Sequence, residues 1–148
     1  MGSMCVVIAE DNFVLRRVVV DYLAMFGINC IETESEEETW LVLNGMPVNV
    51  LVLDLVLSSD NLMFSIIHRM QRHPSLKEIP IIVTSAYSGD SLMAVDREGC
   101  SAVYSFLQKP YDLSQLRYAI VRVAGRSRAT VSPCVGMADS SQLAQKRL

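Results

Sequence analysis

The chain predicts an α/β fold, a doubly wound sheet of five parallel strands carrying five helices on its two faces. Three observations support this. Short apolar runs rich in Val, Ile and Leu recur, such as Cys5-Val6-Val7-Ile8-Ala9, Val48–Leu53 and Ile79–Thr84; runs of that length read as strands buried on both faces. Segments of helical apolar spacing separate them, so strand and helix alternate five times in about 120 residues, the pattern of a parallel sheet with right-handed crossovers. Finally, three runs end in charge. The first delivers Glu10-Asp11, the second Asp54, and the run Ala102–Gln108 delivers Lys109-Pro110.

Taken in order, Met4–Ala9 is the first strand and Asn12–Met25 the first helix, capped by Asn12 and stopped near Gly27. Its apolar positions Val14, Leu15, Val18, Val19, Tyr22 and Leu23 follow the helical period. Ile28–Glu32 is the second strand. Ser35–Asn44 is a helix in which Ser35 and Glu38 form a capping box, and Glu36, Glu37 and Glu38 favour the positive helix N-terminus. Val48–Leu53 is the third strand, followed by a helix over about Asn61–Arg72 that ends before Pro74. Ile79–Thr84 is the fourth strand, Ser88–Glu98 a helix stopped by Gly99, and Ala102–Leu107 the fifth strand. Asp112–Ala124 is the last helix, with Leu113, Leu116, Tyr118, Ile120 and Val121 mostly inward.

Met1-Gly2-Ser3, ahead of Met4, reads as an expression remnant, and residues 125–148, rich in Ser, Ala and Gln, as a tail or linker with a short helix near Ser140–Arg147 as one option. The domain thus spans residues 4–124. At 148 residues, 51% hydrophobic, the chain can bury one core. No apolar stretch approaches the roughly 18 residues of a membrane span, and no secretory signal is evident, so a cytoplasmic location is expected. Residues 1–124 hold nine basic and fifteen acidic side chains, net −6, whereas residues 125–148 are net +3. An acidic body argues against direct nucleic-acid binding. Cys5, Cys30, Cys100 and Cys134 lack paired spacing and read as reduced thiols in the core; with only His68 and His73 beside them, zinc is disfavoured. Met25, Met46, Met63, Met70 and Met93 read as core filler.

In an open α/β sheet the reactive crevice lies beyond the carboxyl ends of the strands. Glu10, Asp11, Asp54 and Lys109 should therefore converge there. Three carboxylates facing one lysine call for a divalent metal, and a lysine facing a metal calls for an added anion. Each group alone has an ordinary reading: Glu10-Asp11 as helix-capping acids, Asp54 as a solvated strand end, Lys109 as a surface lysine.

Together, Val6-Val7-Ile8-Ala9-Glu10-Asp11-Asn12, Val50-Leu51-Val52-Leu53-Asp54-Leu55, Ile79-Pro80-Ile81-Ile82-Val83-Thr84-Ser85-Ala86 and Leu107-Gln108-Lys109-Pro110-Tyr111 resemble the receiver domain of two-component response regulators over residues 4–124. The resemblance implies the flavodoxin-like strand order 2-1-3-4-5. It implies that Asp54 accepts a phosphoryl group from a histidine kinase or phosphotransfer protein. Mg2+ would be bound by Glu10, Asp11, Asp54 and the Val56 carbonyl. Ser85, rather than Thr84, would bond the phosphoryl oxygen, and Lys109, preceding a cis proline, would pair with it. A carboxylate can attack phosphorus, and the developing charge needs cations.

Three departures from the family pattern stand out. The loop after Asp54 has Ser58 in place of the usual proline and no glycine through Leu62, which implies a more mobile or differently shaped loop with Ser58, Ser59 and Asp60 near the metal rim. About three extra residues lie between Gly99 and Lys109; counting back from Lys109 makes Phe106 the switch aromatic, with Tyr104 as the competitor. Val56 and Tyr87 occupy the positions that tune phosphoryl lifetime in the family, and imply slow autodephosphorylation. The expected function is a signalling switch, not a turnover enzyme, that alters binding of a downstream protein through the face of the fourth helix, fifth strand and last helix. Dimerisation through that face is compatible with the sequence but not required by it. The competing readings are a non-cycling pseudo-receiver and a small phosphohydrolase, the latter disfavoured because Val56 stands where a second Asp is common.

Overall fold

Residues 4–56 and 64–125 are described by a computed structural model. Five parallel strands lie in the order β2-β1-β3-β4-β5: β1 Cys5–Ala9, β2 Asn29–Thr33, β3 Val50–Asp54, β4 Ile81–Ser85 and β5 Ser105–Gln108. The helices are α1 Phe13–Ala24, α2 Glu36–Gly45, α3 Phe64–Gln71, α4 Gly89–Val95, α5 Arg97–Ser101 and α6 Leu113–Ala124. Every residue of β3 and β4 is buried, as strands covered on both faces must be. The two-residue side-chain period divides them between two cores. Leu51, Leu53, Ile81 and Val83 pack with residues of α2, α3, α4 and α5; Val50, Val52 and Ile82 pack with Val19 and Leu23 of α1 and Leu116, Ala119, Ile120 and Val123 of α6. This is the doubly wound arrangement the alternation predicts.

Local signals place most boundaries. Asn12 caps α1 by accepting from the Leu15 N–H at 3.0 Å, and Gly27 follows that helix at φ +76°, a conformation that costs glycine little. Ser35 Oγ accepts from Glu38 N at 3.1 Å. The reciprocal half of the box differs: Glu38 Oε1 accepts from Glu34 N at 2.8 Å, one residue before the cap. Asp112 and Gln115 form a box at the start of α6.

The single helix expected over Ser88–Glu98 is two helices. The chain is extended at Asp96, with φ −151° and ψ 92°. Its side chain caps a new helix, Oδ1 accepting from Gly99 N at 2.7 Å, and Oδ2 lies 2.8 Å from His68 Nε2 of α3. An Asp side chain that can satisfy backbone donors competes with helix continuation. Gly99 sits within α5 and does not stop α4. A Cβ there would lie 2.4 Å from Phe64 Cδ1, so glycine permits the close approach of α5 to α3. The fifth strand consequently begins at Ser105 rather than Ala102.

Other expectations change on packing. Val14 and Val18 are exposed on α1 while Arg16 is buried. Val121 of α6 is exposed, the inward places going to Ala119 and Val123. Met70 is core, but Met25 and Met46 are exposed. Cys5, Cys30 and Cys100 form no disulfide, with Cys100 buried and the other two partly buried. The loop expectations for Ser58, Ser59 and Asp60, the expected start of the third helix at Asn61, Met63, Cys134, the expression remnant and the tail beyond Gly125 fall outside the described residues. Among the described residues no helix is long and apolar enough to cross a membrane.

Candidate functional site

The carboxyl ends of β1, β3 and β5 bring three charged side chains into contact. Asp54 closes β3 and is buried. Its Oδ2 lies 3.0 Å from Lys109 Nζ, and its Oδ1 accepts from the Val56 N–H at 3.1 Å. Glu10 follows β1 and is also buried. Its Oε1 accepts from Lys109 Nζ at 2.8 Å, its Oε2 from Asn12 N at 3.2 Å, and its N–H donates to Thr33 O at 3.0 Å. Asp11 is exposed at the rim. Carboxylate oxygens of Glu10, Asp11 and Asp54 all lie within 4.8 Å of one another.

Lys109 reaches this point because its N–H donates to Ser85 O at 2.7 Å, continuing the β4–β5 ladder, and the Lys109–Pro110 bond is cis. Ser85 ends β4 fully buried, and its Oγ accepts from Tyr87 N at 3.0 Å. Thr84, its competitor, is also buried and is the register partner of Asp54, with Ser85 one residue beyond. Phe106 lies on β5 opposite Val83 and is partly buried against the core beneath α3, α4 and α5. Tyr104 is buried in the other core and hydrogen bonds to Arg122 of α6. Tyr87 is half exposed.

The charges do not balance: one ammonium serves two buried carboxylates. Burial pushes the Glu10 carboxyl up to about 7; the Lys109 hydrogen bond pulls it down, and neighbouring Asp54 raises it. Burial opposes the Lys109 charge, yet hydrogen bonds to Glu10 and Asp54 outweigh it and hold the ammonium above its ordinary value. A lone cation between clustered acids leaves negative charge uncompensated. Hard oxygen ligands in that number suit a divalent cation such as Mg2+, which takes one or two carboxylates and keeps waters.

Two contributors went unnoticed in the sequence. Tyr111 follows the Lys109-Pro110 pair, and burial together with the Glu10 and Asp54 charges pushes its phenol well above the usual value. Arg16 of α1 is buried and donates from Nη1 to Glu10 O at 2.7 Å. Its signal was present: Arg16 stands on the apolar period of α1 with Val19 and Leu23, a place where a charge needs a partner.

The response regulator receiver domain family matches residues 6–121. The chain belongs to that family. Receiver domains generally accept phosphoryl groups on an aspartate in a Mg2+-dependent way and work with histidine kinases and downstream effectors. Over 129 residues the chain is 23% identical to the DNA-binding transcriptional regulator NtrC of Rhizobium meliloti (strain 1021), covering 87% of this chain and 25% of that protein. It thus spans about a quarter of that curated relative. A sensor protein from Polaromonas sp. JS666 shares the fold at TM-score 0.74 and 22% identity, over 83% of this chain and 97% of its own. The receiver domain of a sensor histidine kinase from Pseudomonas aeruginosa, with a magnesium ion coordinated in its active-site cleft, matches at TM-score 0.71 and 17% identity, over 84% of this chain and 100% of its own. Among the described residues this receiver has six α-helices where five were expected, because the fourth divides at Asp96.

Proposed function

We propose that this receiver is a phosphoacceptor switch with Asp54 as the acceptor. The observation that carries the reading is the contact of Lys109 Nζ with Glu10 and Asp54 at 2.8 and 3.0 Å, within the cluster that also includes Asp11. An Asp54 carboxylate oxygen attacks the donor phosphorus, a P–O bond forms, and the bond from phosphorus to the donor nitrogen or oxygen breaks with its electron pair leaving on the donor. Glu10, Asp11, Asp54 and the Val56 carbonyl are the groups to hold Mg2+. When bound, the ion supplies positive charge to the transferring phosphoryl oxygens.

Lys109 then exchanges a carboxylate contact for a phosphoryl oxygen. Ser85, whose oxygen accepts from the Tyr87 N–H, donates its own hydroxyl proton to a second oxygen. Phe106 is the switch aromatic: it has no hydroxyl, so packing alone governs its rotation, whereas Tyr104 is held by Arg122. The face of α4, β5 and α6 follows, and a downstream protein reads the change. The donor is a histidine kinase or phosphotransfer protein, and the site of action is cytoplasmic. Val56 cannot orient water, and Tyr87 adds no carboxylate or amide to do so, so the phosphoryl group is long-lived.

Intact mass after incubation with acetyl phosphate and Mg2+ tests this. A gain of one phosphoryl group that needs Mg2+ and disappears in Asp54→Ala supports it. No gain, together with no Mg2+ binding by calorimetry, sinks it in favour of a non-cycling interaction module.

A further inference from the structure

Arg16 is a basic side chain where α1 should be apolar: it is only 7% exposed, on the helix side shared with buried Val19 and Leu23. A guanidinium in that place is costly unless its donors are met. They are met by groups at the end of β2 and by the backbone of the acidic turn. Nε donates to Glu32 Oε1 at 2.9 Å, Nη1 donates to Glu10 O at 2.7 Å, and Nη1 lies 3.6 Å from Glu34 Oε2. Glu32 also accepts from Arg17, and the Arg16 hydrogen bond is the main reason its carboxyl lies below the usual range.

The carbonyl that Arg16 grips belongs to the planar peptide unit joining Glu10 to Asp11. On the other side of Glu10, its N–H is held by Thr33 O at 3.0 Å. Both ends of Glu10 are therefore tied to β2, one directly and one through Arg16. Because a peptide unit rotates as a plane, holding its carbonyl restricts ψ of Glu10 and φ of Asp11 and so narrows the directions in which the two side chains leave the turn.

The geometry points to Arg16 as a positioning residue for metal loading, clamping the Glu10–Asp11 peptide against β2 so that the two carboxylates present a preset spacing to a divalent cation. The inference rests on the phosphoacceptor reading of the site and adds a residue outside the ligand set. It also makes a prediction of sign. A cation near the metal site would, by charge alone, weaken Mg2+ binding, so its removal would tighten binding. A clamp requires the opposite.

The test compares wild type with Arg16→Gln, Arg16→Lys and Glu32→Gln by calorimetric Mg2+ titration, with amide exchange at Asn12 followed by NMR in Mg2+-free protein. Loss of an outer-shell partner typically weakens metal binding about 10- to 100-fold, and Arg16→Gln is expected in that range. Asn12 exchange, reporting its bond to Glu10 Oε2, should accelerate while core strand amides do not change. Arg16→Lys retains the charge without the two-pronged reach and should recover only part of the loss. Glu32→Gln leaves Arg16 in place but removes its Nε anchor and should likewise accelerate Asn12 exchange; because loss of a carboxylate weakens Mg2+ binding by charge alone, this exchange, with the Mg2+ affinity of Arg16→Lys, carries the comparison if Arg16→Gln does not fold. Unchanged or tighter Mg2+ binding in the Arg16 variants, with Asn12 exchange unaltered, overturns the clamp. Absence of Mg2+ binding by wild type would instead overturn the phosphoacceptor reading, and the clamp with it.

Discussion

Lys109 and Asp54, 55 residues apart in the chain, meet at 3.0 Å between Nζ and Oδ2. The same ammonium reaches Glu10 at 2.8 Å. This one cation is what allows two buried carboxylates to share a strand edge, and it stands where a phosphoryl group on Asp54 would carry its charge.

Replacing Lys109 by Met should therefore slow phosphoryl uptake. Loss of one preorganised charge-stabilising group commonly costs on the order of 100-fold in rate, and a decrease of at least tenfold is expected with acetyl phosphate and saturating Mg2+. Time-resolved intact mass reads it. Uptake at the wild-type rate would remove Lys109 from the transfer step.

Glu10 links metal-free stability to pH. Burial pushes its carboxyl up to about 7 in the folded protein, against an ordinary value of about 4.5. Between those values the unfolded chain has lost a proton that the folded chain keeps, so stability falls as pH rises from about 4.5 to about 7 and is level above. Thermal unfolding in EDTA across pH 5 to 8 should show the decline, and Glu10→Gln should flatten it. Mg2+ requires the ionised carboxylate, so the ion should bind more tightly with rising pH over the same window and release protons to buffer.

Gly99→Ala tests the packing of α5 on α3. The added methyl carbon would sit 2.4 Å from Phe64 Cδ1 and 3.1 Å from Asp96 Cγ. Overpacking of this kind costs about 1–3 kcal/mol. Urea unfolding should place the midpoint correspondingly lower with an unchanged m-value; a variant as stable as wild type would mean that the Phe64 ring yields freely.

On the proposed reading the phosphoryl lifetime should be long, because Val56, two residues past Asp54, offers no group to orient water. Val56→Asn should shorten it several-fold. Decay of the 80-Da adduct, about one phosphoryl group, within seconds in the wild type would sink the expectation.

Much of this was legible in the chain. The order of elements, the caps Asn12 and Ser35, and the chiral stop at Gly27 depend on neighbours a few residues away. Glu10, Asp54 and Lys109 were legible because strand ends are places in a sequence, and parallel strands align those ends at one edge. The division of α4 from α5 was not, because Gly99 looks like a stop until Phe64 of α3 is seen against it, and the contact of Asp96 with His68 joins residues 28 apart in the chain.

The sequence by itself determined the sheet, its edge and the residue types collected there, since hydrophobic period and local capping are short-range properties. Tertiary structure decided which charges share partners. Burial of Arg16, its grip on the Glu10 carbonyl across to Glu32, the enclosure of Tyr111 beside the acids, and the division of Lys109 between two carboxylates all depend on how the five strands sit side by side. Charge pairing is set by distance in space, and a linear sequence does not contain that distance.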